Sequence, residues 1–152
     1  MTFNSDKECL RYWPKKNKPD ITYKSPDGSI IEEKQHLRYL GVEMDSDLTF
    51  SVHNSNTLAG ATKLVGWALR TFRRRSRMVM LTIWKCIIQS KLDYTIQLWS
   101  PSDQSSISSL ESVARHFISQ IDGMTGLDYW ERLQALQLYS QERRRERYHL
   151  SK

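Results

Sequence analysis

The sequence predicts an α+β fold, a short β-hairpin element followed by a mainly α-helical bundle. Three observations carry that expectation. Residues 37–44 are a short run rich in apolar residues whose side chains divide between two faces at the period of a strand. From about Asn56 the apolar residues recur every three or four positions, the period of a helix. Gly, Pro, Asp and Ser fall at the joints between these stretches, where turns and caps need them. The 152 residues suit one globular domain in size, divided at the change of period into a β element over residues 1–53 and a helical bundle over 54–152.

Taken in order, Trp13-Pro-Lys-Lys-Asn-Lys-Pro19 reads as a polar loop bounded by prolines. Residues 21–23 and 29–31 flank Ser25-Pro-Asp-Gly28, a turn signal. Residues 37–44 read as a further strand, with Leu37, Tyr39, Gly41 and Glu43 on one face and Arg38, Leu40, Val42 and Met44 on the other. A glycine inside that apolar stretch marks a bulge or a close approach of backbone to something else. Leu58, Ala61, Val65, Ala68, Leu69 and Phe72 form the core stripe of the first long helix. Residues 77–90 are apolar nearly all round, so a helix buried on most sides is expected there, with Cys86 in the core. Trp99-Ser-Pro101 ends the next segment. Ser102 or Asp103 then caps a helix carrying Ile107, Leu110, Val113, Ala114, Phe117, Ile118 and Ile121, with Gly123 as its stop. Asp128 caps a short helix through Leu133 and Leu136, and Ser140 caps a last one, read as a surface helix.

Hydrophobic residues make up 39% and charged residues 26%, the balance of a folded chain. No apolar run approaches the roughly 18 residues of a membrane span. Residues 1–7 lack the basic-then-apolar layout of a secretory signal. Cys9 and Cys86 have no Cys or His partner at metal-ligand spacing, and Cys9 reads as a partly buried strand residue. An intracellular setting, nucleus or cytoplasm, is expected.

The net charge of +6 is unevenly placed. Residues 1–47 carry 8 Lys/Arg against 9 Asp/Glu, and residues 93–152 carry 7 against 8. Residues 48–92 carry 8 Lys/Arg and no acid, so the whole excess lies in that window. At about 100° per residue, Lys63, Trp67, Arg70 and Arg74 share a helical stripe about 60° wide, opposite the core stripe. Arg73, Arg75 and Arg77 crowd its end. Guanidinium forks suit phosphate oxygens and an indole offers a stacking face. Five arginines in residues 70–77 repel one another unless something anionic lies against them, which points to nucleic acid. Arg143, Arg144, Arg145 and Arg147 weigh less, because Glu142 and Glu146 lie within helical reach.

Catalytic constellations are absent from the pattern. Asp45 and Asp47 stand two apart, but a turn between strand and helix explains them better than a metal site. The four histidines have no metal spacing, and no glycine-rich phosphate loop occurs.

The order of segments resembles the C-terminal part of the reverse transcriptase of non-LTR, LINE-type (jockey-like) retrotransposons. Asn4-Ser-Asp-Lys7 is similar to that family's Asn-x-x-Lys motif. Leu37-Arg-Tyr-Leu-Gly-Val42, with Asp45-Ser-Asp-Leu-Thr-Phe50 and His53, is similar to the following primer-gripping hairpin. Leu92-Asp-Tyr94, Trp99-Ser-Pro101, the run from Ile107 to Gly123, Tyr129-Trp-Glu-Arg-Leu133 and Glu142-Arg-Arg144 continue the match nearly end to end. The resemblance implies a palm-end element followed by a thumb-like bundle. It implies Lys7 as the motif lysine near departing pyrophosphate, and Tyr39, Leu40, Gly41 and Val42 as a grip on the primer. Lys63, Trp67, Arg70, Arg73, Arg74, Arg75 and Arg77 would then face an RNA/DNA template–primer. The family's metal-binding aspartates precede the Asn-x-x-Lys motif, so Mg belongs to the intact enzyme, no cofactor is expected in this chain, and the chain alone is expected to be inactive. With the rest of the palm and the fingers missing, Leu40 and Val42 would lie on an open surface. The other readings are a stand-alone helical nucleic-acid-binding module and a protein-interaction module with an acidic partner.

Overall fold

In the computed structural model, residues 22–31, 34–46, 48–101 and 103–149 are described. The architecture is α+β, a two-stranded antiparallel hairpin followed by mostly helical segments. The chain divides into two units, Met1–Phe50 and Ser51–Lys152. Lys7, Cys9, the loop over 13–19, Asp47 and Ser102 lie outside the described residues.

In the first unit, Ser25-Pro-Asp-Gly28 makes its turn. The Gly28 N–H donates to the Ser25 carbonyl at 2.8 Å, and Lys24 and Ile30 form an antiparallel bridge. The Asp27 carboxylate accepts from the Ser29 hydroxyl and N–H, which holds its pKa below the usual value.

Strands β1 (His36–Tyr39) and β2 (Val42–Asp45) follow, paired from His36↔Asp45 to Tyr39↔Val42. Between them Leu40 and Gly41 have φ of 47° and 81°, both left-handed, as a two-residue type I′ turn requires. Residues 37–44 are therefore not one strand with a bulge but a β-hairpin, the element expected at this end of the chain. Gly41 sits at the tip of a hairpin, where the backbone needs positive φ. The turn also separates Leu40 from Val42. Leu40, at the tip, is 72% exposed, while Val42, one residue into β2, is 2% exposed. Only Leu40 lies open, which corrects the expectation for the pair. After β2, the Asp45 carboxylate accepts from the Thr49 N–H at 2.7 Å and its hydroxyl at 2.5 Å. Asp45 is a turn residue.

The second unit opens with α1 (Ser51–Thr71), which starts before the apolar period does. Its buried residues are His53, Thr57, Ala61, Val65 and Ala68, so two polar side chains extend the core stripe backwards. His53 meets the edge of Trp99 at 5.3 Å, and the Thr57 hydroxyl lies 3.4 Å from His53 Nε2. Leu58, Leu69 and Phe72 are half-buried flanks. Helix α1 packs on α3 and α5.

Helix α2 (Arg77–Ile83) runs through a π-helical turn at Trp84–Ile88 into α3 (Gln89–Asp93). The turn sends the Gln89 N–H to the Trp84 carbonyl, five residues back, and inserts one residue into the helical period. Ile88, Gln89 and Leu92 thereby continue the core stripe of Met80, Ile83 and Trp84. Cys86 is turned outward and exposed, contrary to its expected core position. Met78 is 82% exposed, so this helix buries one side and not most sides.

Helix α4 (Ile96–Trp99) is short; the buried Trp99 donates its indole N–H to the Tyr94 carbonyl at 2.7 Å. Asp103 caps α5 (Gln104–Ser119) by accepting from the Ser106 N–H at 2.8 Å. Helix α5 buries Leu110, Val113, Ala114, Phe117 and Ile118, with Phe117 stacked on Trp84 at 5.3 Å. Gly123, at φ 83°, follows its end. Asp128 and Glu131 form a capping box on α6 (Tyr129–Leu136).

Helix α7 (Gln141–His149) is docked rather than lying on the surface. Glu111 accepts from the Gln141 and Glu142 N–H groups at 2.9 and 3.2 Å and from the Tyr129 hydroxyl. Burial and that carboxylate push the Tyr129 pKa up. Gln89 and Gln141 exchange amide hydrogen bonds at 3.1 and 3.0 Å. Arg144 pairs with Asp93 at 2.5 Å. Arg145 is buried and donates to Ser100 Oγ and the Pro101 carbonyl at 2.8 and 2.7 Å. These arginines gain tertiary partners beyond the expected Glu142 and Glu146, whose charges still oppose the effect of burial on Arg145. Among the described residues, no helix is long and apolar enough to cross a membrane.

Candidate nucleic-acid interface

Lys63, Trp67 and Arg70 lie on α1 at spacings of four and three residues, within one solvent-side stripe. All three are exposed. Helix α1 ends at Thr71, so Arg74 does not continue the helical stripe as the sequence suggested. Arg73 and Arg74 instead stand exposed on the connection to α2. The connection is tied to the end of α5: the Asp122 N–H donates to the Arg75 carbonyl at 2.9 Å, and Arg75 Nη1 donates to Gln120 Oε1 at 2.5 Å. Arg77 turns to the Ala135 carbonyl. These two arginines hold structure together with their guanidinium hydrogens. Lys63, Arg70, Arg73 and Arg74 have no hydrogen-bond or ion-pair partner among the described residues.

Two glycines shape the face. A methyl group placed at Gly66 would lie 3.2 Å from Arg70 Nη1, so the guanidinium lies back along α1 over the missing side chain. A methyl group at Gly60 would lie 2.4 Å from Lys91 Cε and 3.2 Å from its Nζ. Gly60 is about 60° from Lys63 around the helix, on the same side as Trp67. Lys91, from α3, therefore brings an ammonium onto the α1 face. Periodicity alone did not reveal it. The available signal was the glycine in the middle of a helix, which costs about 1 kcal/mol against alanine and asks for a packing reason.

Trp67 is 42% exposed and packs perpendicular to Phe72 with ring centroids 6.0 Å apart, so part of the indole is held and part is open to solvent. The surface thus offers donors that bind phosphate oxygens and a ring that stacks, with no carboxylate drawn from residues 48–92.

Tyr39, Leu40, Gly41 and Val42 are brought together at the hairpin tip, with Tyr39 and Leu40 exposed. Asp45 is committed to Thr49, and among the described residues no group of three or more His, Cys, Asp or Glu could hold a metal ion. No protein-family model, curated protein or solved structure matches the chain.

Proposed function

We propose that the chain binds nucleic acid through the α1 face and the loop after it, as the palm-end and thumb part of a retroelement RNA-directed DNA polymerase. The carrying observation is the set of exposed, unpartnered cations, Lys63, Arg70, Arg73 and Arg74, in a window without acids. Trp67 supplies a stacking face among them. The role assigned is a grip on the template–primer backbone rather than catalysis. The polymerase part of the reading rests on the order of sequence motifs from Asn4 to Arg144.

The binding is tested by fluorescence anisotropy with a labelled duplex over a salt series. If Lys63, Arg70 and Arg74 each neutralise a phosphate, log K falls with log salt at a slope of about −3. Arg70→Gln with Arg74→Gln lowers that slope by about 2 and weakens unrelated sequences alike. An unchanged slope sinks the interface. The polymerase assignment is tested separately by the genomic frame upstream of Met1, where an in-frame Ala-Asp-Asp segment is expected.

A further inference from the structure

A second groove lies between the π-helical turn, α3 and the start of α7. It is open, about 370 Å³ in volume, and its walls include Lys85, Ser90, Asp93, Tyr139 and Arg144. That volume is in the lower range of small-ligand sites and close to the size of one nucleotide. The π-helical turn carries Lys85 as an exposed residue. Asp93 is the carboxylate in the wall, and it is taken by Arg144 and by Gln89 Nε2 at 2.8 Å. Tyr139 is 42% exposed, with the guanidinium carbons of Arg147 and Arg143 at 4.0 and 5.8 Å from its ring centroid. Glu142 lines a different groove, with Gln104 and Trp130.

We infer that this groove binds one unstacked nucleotide of a single strand, with Lys85 and Arg144 facing its phosphate and Tyr139 with its arginines forming the stacking wall. The inference rests on the reading of the chain as nucleic-acid-binding and adds a second site of different shape. The charged groups of the wall are Lys85, Arg144 and Asp93, a small positive excess that favours an anion, and Arg143 and Arg147 lie over Tyr139 beside it. The aromatic wall favours a base over a bare phosphate, since aromatic and guanidinium planes stack on any base. A duplex presents its bases already stacked and its phosphates on a convex surface, which a groove of this size does not admit. An α-helical period would not have placed both Lys85 outside and Ile88 with Gln89 inside.

The test is amide chemical-shift mapping of the full chain titrated with a thymidine pentamer, then with a blunt duplex. Expected are pentamer shifts at Lys85, Ser90, Tyr139 and Arg144, absent with the duplex. Lys85→Gln, an exposed substitution that leaves the core alone, is expected to weaken the pentamer about fivefold at low salt and lower the salt slope by about 0.7. Tyr139→Leu should weaken it without changing the slope. Pentamer shifts in the groove without duplex shifts around Lys63 and Arg70 would uphold this inference and sink the α1 interface. Duplex shifts around Lys63 and Arg70 without pentamer shifts in the groove would overturn this inference alone. Silence at both sites ends both readings. A decaglutamate peptide that displaces the pentamer at lower concentration than nucleic acid would also overturn it, by making the groove a site for acidic protein.

Discussion

Leu40 bears a conformational cost that Gly41 avoids. Both have positive φ, and a side chain in that region costs about 1–2 kcal/mol unless it is small or locally hydrogen-bonded. Leu40→Asn should therefore stabilise the hairpin by about 0.5–1 kcal/mol, and Gly41→Ala should weaken it by about 1 kcal/mol. Amide exchange along β1 and β2 reads both. Equal protection in the Asn variant would mean that the strain is relieved elsewhere. The leucine is also why the turn was hard to see. An Asn-Gly pair announces a type I′ turn, whereas Leu-Gly inside an apolar stretch reads as strand with a bulge. Arg145 illustrates the opposite case, a charge whose place no local pattern reveals. Burial lowers its pKa, and its fork is held by Ser100 and Pro101. Arg145→Ala is expected to cost about 2–3 kcal/mol in urea unfolding, the scale of lost charged hydrogen bonds. Arg145→Lys should recover little, because one ammonium cannot reproduce the fork.

Helix α5 ends at Ser119, short of Ile121 and the expected stop at Gly123. Helix starts follow rules that a sequence displays openly, and here they held at Asp103, Asp128 and Ser140, which accepts from the Arg143 N–H at 3.2 Å. Asp103 shows what such a cap does with pH. The Ser105 hydroxyl and the Ser106 N–H stabilise its carboxylate and lower its pKa from 3.8 to about 2. The folded value lies below the unfolded one, so the cap's contribution is complete above about pH 4. It is lost as pH falls towards 2. Asp103→Asn accepts similar hydrogen bonds without titrating, so its thermal midpoint should drop less than that of the parent between pH 4 and 2. An identical acid limb would remove Asp103 from the account. The bodies of the helices were less legible than their starts. The π-helical turn has no composition signal, and without it the phase of Cys86 and Gln89 is misread. Helix α7 looked solvated because its neutralising partner, Asp93, is 51 residues away in sequence. The α1 face was half legible: Lys63, Trp67 and Arg70 by period, Lys91 only through the space left by Gly60. Gly60→Ala separates helix formation from binding. Alanine should add about 1 kcal/mol to α1, since only the flexible end of Lys91 stands in its way. If Lys91 adds a further phosphate contact to those of Lys63, Arg70 and Arg74, the parent slope is nearer about −4 and the displaced ammonium should lower it by about 1. A variant more stable and equally salt-dependent would take Lys91 off the interface.

Across the whole chain, the excess of +6 lies in residues 48–92, and the structure sorts those cations by task. Arg75 and Arg77 are tied to Gln120 and Ala135, while Lys63, Arg70, Arg73 and Arg74 have no hydrogen-bond or ion-pair partner among the described residues. Attraction summed over such a surface gives affinity and speed of association but no sequence preference. The one member that can do something else is Trp67. Were it a core residue, truncation would create a cavity and cost several kcal/mol of stability. It is 42% exposed and meets Phe72 only edge-on, so Trp67→Ala should lower stability by about 1 kcal/mol at most. If the indole stacks on a base or sugar, affinity should fall by about 1–3 kcal/mol, while the salt slope stays within about 0.3 of the parent because no charge is removed. Replacing Arg70 and Arg74 should produce the reverse, a large change of slope with affinity converging on the parent value at high salt. The pair of measurements distinguishes stacking from charge on one face. Loss of slope in Trp67→Ala would show that the indole only positions Arg70, and loss of thermal stability without loss of affinity would return it to the core.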